Sequence, residues 1–168
     1  MKSIILSLLL VASLTACKKN LGKKVLIEGT KAEVFYKGEG VTEADALKLG
    51  AWLKNQNIIN NTVDQSVIIS KGEDGAYEIR LAGTGEASPE RTTAFNQLGA
   101  GLSIEVFNNV PVNLVIVDKN NKALQTYPFA KDVAKQLQES LDNAKQNSAP
   151  QDSMSATPVE DSTTNTNQ

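Results

Sequence analysis

Leu49-Gly50-Ala51-Trp52-Leu53 returns as Leu98-Gly99-Ala100-Gly101-Leu102, and Asn60-Asn61 returns as Asn108-Asn109 at nearly the same offset. The apolar runs Val67-Ile68-Ile69 and Val115-Ile116-Val117 follow in register, each leading into a polar turn and another apolar stretch. The chain therefore reads as two helix-strand-strand units. In the first, Thr42 is placed to cap a helix with Asp45 three residues on, and Ala46, Leu49, Leu53 and Asn57 then share one face. In the second, Ser88 is the cap, Pro89 takes the first helical position where its missing N–H costs nothing, and Phe95, Leu98, Leu102 and Val106 form the stripe. A glycine inside a helix costs about 1 kcal/mol against alanine. Gly50 and Gly99, at matching positions, thus predict close approach of each helix to another backbone.

Strands are legible by their alternation. Tyr77, Ile79 and Leu81 alternate with Glu78 and Arg80, as on a strand with one wet face, whereas Val112–Val117 is nearly all apolar, as on a strand covered on both sides. Lys71–Gly75 and Asp118–Lys122 have the composition of hairpin turns. Glu33–Lys37 reads as a further strand that Val25–Glu28 extends, and Phe129, Val133, Leu137 and Leu141 mark a closing amphipathic helix. The expected fold is α+β: an antiparallel-rich sheet of about five strands with helices packed on it, built from the two pseudo-repeats plus the C-terminal helix. The first two helices are expected to cover one face of that sheet and the third to cross the other. That arrangement leaves the strand of Glu78 and Arg80, with the Tyr77 turn, as an exposed rim beside the third helix.

The flanks differ in kind from this domain. Lys2 followed by the apolar Ile4–Ala12 and by Leu14-Thr15-Ala16-Cys17 has the layout of a secretory signal, too short to remain as a membrane span. Leu14-Thr15-Ala16-Cys17 resembles the lipobox of bacterial lipoproteins. The resemblance covers only this segment, and it implies cleavage before Cys17 and a diacylglycerol on its sulfur. It also implies the cell envelope. Under the Gram-negative sorting rule Lys18, in place of an acid at the second mature position, implies the outer membrane, and the absence of acids in Lys18-Lys19-Asn20 implies its periplasmic face. The boundaries are then a signal over 1–16, a lipidated tether over 17–24, the α+β domain over 25–145 and a tail over 146–168. The tail is rich in Ser, Thr, Asn, Gln and Pro and lacks aromatics, so it is expected to be disordered. Asp152-Ser153-Met154 and Asp161-Ser162-Thr163 resemble the O-glycosylation sequon of one group of Gram-negative bacteria, which makes Ser153 and Ser162 the candidate sites.

Composition restricts the chemistry. The chain has no histidine and only one cysteine, the one the lipobox resemblance assigns to lipid, so Cys/His catalysis and the usual nitrogen and sulfur metal ligands are excluded. Lys18–Lys145 balances sixteen basic against sixteen acidic residues, which implies no nucleic-acid partner. Glu43 and Asp45 sit in a first helical turn, where acids offset the macrodipole, and point apart. Asp118 and Asn120 lack the rest of a calcium loop. Arg91, a cation in a first turn, is a weak candidate for binding an anion, and Gly83-Thr84-Gly85 reads as a connection. No catalytic, cofactor or metal residue is assigned. The candidate partner surface is Trp52, Tyr77, Glu78 and Arg80. The expected function is that of a membrane-anchored envelope lipoprotein, a non-catalytic binding or assembly module with a protein partner. The alternatives are a carboxylate-based hydrolase and a passive structural surface lipoprotein.

Overall fold

The computed structural model describes residues 21–147. Cys17, Ser153, Ser162 and the signal segment lie outside the described residues. The elements run β1 (Lys23–Leu26), β2 (Ala32–Tyr36), α1 (Glu43–Asn55), β3 (Gln65–Lys71), β4 (Tyr77–Ala82), α2 (Pro89–Glu105), β5 (Val112–Val117), β6 (Ala123–Tyr127) and α3 (Lys131–Asn147). The protein is α+β, with six strands in one mixed sheet whose spatial order is the chain order. Three antiparallel hairpins, β1–β2, β3–β4 and β5–β6, are joined edge to edge by two parallel pairings, β2–β3 and β4–β5. The sixth strand is β1, which pairs with β2 rather than extending it, and begins at Lys23, within the segment expected to be tether. Helix α3 likewise runs past residue 145 to Asn147.

Local chemistry explains the boundaries. The Thr42 hydroxyl accepts from the Asp45 amide while the Asp45 carboxylate accepts from the Thr42 amide, a complete capping box. Ser88 accepts from the Arg91 amide, and Pro89 opens α2. Asn57 after α1, and Asn108 and Asn109 after α2, take left-handed backbone, a conformation asparagine tolerates. At Asp118–Lys122 the Asp118 carboxylate accepts from the Asn120 and Lys122 amides, fixing the expected hairpin.

The core lies between the sheet and α1 and α2. Val34, Val67, Ile69, Ile79 and Leu114 are 2 % exposed or less and meet Leu49, Leu53 and Leu102 from the helices. A Cβ on Gly99 would lie 3.3 Å from the Val112 carbonyl oxygen, the close backbone approach expected there. At Gly50 the space is filled instead by the Ile27 side chain.

The two crossovers are not copies. Both parallel steps move the same way across the sheet, and α1 touches α2, so both helices share one face. Yet β4 runs opposite to β2. Crossovers with the same face and step but reversed strand direction have opposite hands. Amide directions show which is which. Tyr77, facing the helices, donates to Pro111 O ahead of β5, whereas Lys37, on the alternation facing away, donates to Ile69 O in β3. For L-residues this makes β4–α2–β5 the usual right-handed crossover and β2–α1–β3 the rare left-handed one. The two sequence units share element order but no rotation superimposes them.

Helix α3 corrects a further expectation. It packs on α2, away from the sheet, and not across the second face. It follows the last hairpin, and its contacts are with α2 rather than with the sheet. Among the described residues, the second face carries no helix. Its centre is nonetheless dry, with Ile68 4 % and Val115 3 % exposed. Arg80 stands between them in register, on the same face.

Candidate functional site

The structure divides the four candidate partner residues between two faces. Tyr77 is buried on the helix side, 6 % exposed and stacked on Phe107 at 4.1 Å between ring centroids. Burial, and secondarily the Asp45 charge, raise its phenol above the usual range. Glu78 and Arg80 lie on the bare face, and they pair with each other along one strand, Nε to Oε1 at 2.7 Å, rather than across strands. A second Arg80 nitrogen donates to the Asn121 carbonyl at 3.3 Å, tying the β5–β6 turn over the face. With α3 elsewhere, the rim predicted beside it does not form. Arg91 is likewise occupied: it donates to the Thr84 hydroxyl and carbonyl and lies over Phe95, which pins the Gly83–Gly85 connection. Among the described residues no group of three or more acids and cysteines could hold a metal ion, and no helix is long and apolar enough to cross a membrane.

Trp52 leads to a different place. It projects from α1 toward α2, its ring 3.2 Å from where a Gly101 Cβ would stand, and its indole N–H donates to Glu105 Oε2 at 3.0 Å. Gly101 is small because the indole lies on it. Trp52 thereby forms one wall of a groove of about 590 Å³ that runs over α2. Leu98 and Ala94 make its floor, and Val133 and Leu137 of α3 its far wall. Gln56, Gln97, Gln136 and Ser140 form a neutral rim of paired donors and acceptors, with Glu105 its acid. The sequence marked Trp52 but not α3 as its opposite wall, because the wall depends on how α3 docks. The stripe Val133, Leu137 and Leu141 was the signal available, and its neighbour could not be read from spacing.

The groove thus has apolar walls and an amide rim, with Glu105 as the one carboxylate among its lining residues. Residues 24–128 match the model of the family AF_1994_N, described as a family N-terminal domain. No curated protein and no solved structure matches the chain. The matched segment contains almost all of the sheet, with both crossover helices, and stops just before α3, so the groove's far wall lies outside it. Because the match spans more than half of its length, the chain belongs to the AF_1994_N family.

Proposed function

We propose that the protein is a lipid-anchored envelope module that binds another protein without catalysis, through the groove between α1, α2 and α3. The observation that carries this reading is the half-buried Trp52, held at the groove wall by Glu105 beside apolar positions that α3 leaves partly exposed. Large aromatic rings fixed by a hydrogen bond at the edge of an apolar depression are the usual anchors of protein interfaces. The anchor itself rests on the lipobox resemblance of Leu14–Cys17. A photo-crosslinking residue in place of Gln97, on the groove rim, should give a discrete adduct in intact cells, and Leu137→Arg should abolish it. The same crosslinker at Ser66, on the bare sheet face, should give none. Adducts of equal yield from both positions overturn the groove as the binding site. Cys17→Ser should release the chain from the membrane fraction and leave uncleaved precursor; retention in the membrane with normal processing overturns the anchor.

A further inference from the structure

Charge is segregated along the chain in a way that overall neutrality conceals. Residues 18–37 carry six lysines against two glutamates, whereas residues 38–168 carry ten basic residues against seventeen acids. The fold collects most of the basic stretch at one edge, since β1 ends the sheet and β2 lies beside it. Lys23, Lys24, Lys31 and Lys37 are all exposed there, and one of the two acids, Glu33, is held by Lys24 at 2.6 Å. On the same strand Leu26 is 69 % exposed, more than any other large apolar side chain among the described residues. By alternation Lys24 and Leu26 share the bare sheet face, where Phe35 is half-buried opposite Lys24.

We infer that the β1–β2 edge is a membrane-facing surface. It lays its lysines on anionic phospholipid headgroups with Leu26 entering the interface, and so turns α1, α2 and α3 away from the lipid. This rests on the reading that Cys17 is lipidated. Six residue steps separate Cys17 from Lys23, which span at most about 20 Å when fully extended, so an acylated Cys17 keeps β1 within reach of the headgroups. A basic edge beside an acidic remainder is drawn down onto negative charge while the rest is repelled, and an apolar side chain amid lysines is the composition of an interfacial contact. The groove then faces away from the membrane, open to a partner.

The test uses the full-length chain, purified after processing and reconstituted into vesicles of phosphatidylcholine with phosphatidylglycerol. An environment-sensitive fluorophore is attached at Leu26→Cys or, as the control on α3, at Gln138→Cys. Spin-labelled headgroup lipid should remove most of the emission at position 26 and leave that at 138 unchanged. Lys23→Glu with Lys24→Glu, or about 1 M salt, where the screening length is about 3 Å, should restore the emission at 26 without releasing the protein. Equal emission at the two positions in a chain whose mass shows the diacylglyceryl group overturns the orientation and leaves the anchor standing. Quenching at 26 that persists in pure phosphatidylcholine overturns the role of the lysines. A mature mass without lipid overturns the reading on which the inference rests.

Discussion

Helices α2 and α3 have the same length and each carries an apolar stripe, yet only α2 belongs to the core. Helix α3 has the clean apolar stripe of a core helix, yet none of its side chains from Lys131 to Gln146 is fully buried. Helix α2 buries more than its stripe of Phe95, Leu98 and Leu102 calls for: Gly99, Ala100, Gly101, Leu102 and Ser103 are buried in succession. Five consecutive residues exceed one turn, so at that level α2 is enclosed all round: by β5 beneath, by Trp52 of α1 on a flank and by α3 above. Amphipathicity reports how one-sided a helix's surroundings are, and not how deeply it is buried. Small residues do the rest, because only glycine or alanine lets three neighbours approach one helix at once.

That contrast can be broken by substitution. Leu102→Ala, at a fully buried position, should lower unfolding free energy by about 3 kcal/mol, against about 1 kcal/mol for Leu137→Ala on α3; equal losses in denaturant titrations would make α3 part of the core. Ending the chain at Pro128 should come next. The truncated protein should still unfold in a single transition, with stability reduced by about 2 kcal/mol, the worth of one or two partly covered aliphatic side chains. Loss of cooperative unfolding would show that α2 cannot stand without its cover. Trp52→Phe removes the donor to Glu105 together with the outer indole atoms that lie on Gly101, and should cost about 1 kcal/mol with unchanged near-ultraviolet ellipticity from the tyrosines.

The smallest effect at neutral pH is expected at Tyr77. Its phenol is raised above the ordinary 10.0, so the fold favours the neutral form. The stabilisation is complete below the unfolded value and lost as pH rises through the folded one. Tyr77→Phe should therefore flatten the alkaline limb of the stability profile and leave the region around pH 7 unaffected in shape. An unchanged alkaline limb would mean that ring burial beside Phe107 does not hold the proton.

Much of the fold was legible where a single local rule decides. The caps at Thr42 and Ser88, the stripe Ala46–Leu49–Leu53, the alternation at Tyr77–Leu81 and the turn at Asp118 each depend on residues a few positions apart. What escaped depends on relations between elements. Val25–Leu26 reads equally as an extension of β2 or as its partner, and only the Gly29 turn, with its positive φ, makes the hairpin. The continuous apolar run of β5 predicted a second covering helix, but among the described residues α3 packs on α2 instead, a choice that spacing along the chain does not record. The site suffered most. Of the four residues singled out, Trp52 meets the groove, while Tyr77 and Arg80 are separated by the thickness of the sheet, because consecutive odd and even positions of one strand face opposite ways.

The strand order carries one more implication. Each strand of this sheet lies beside the strand made just before it, from β1 to β6. A chain delivered N-terminus first, whether from a ribosome or through a translocation pore, can therefore add each hairpin to an existing edge as it emerges, with no early strand kept waiting for a late partner. Every intermediate exposes one growing edge, and the last edge laid down, β6, is followed at once by α3.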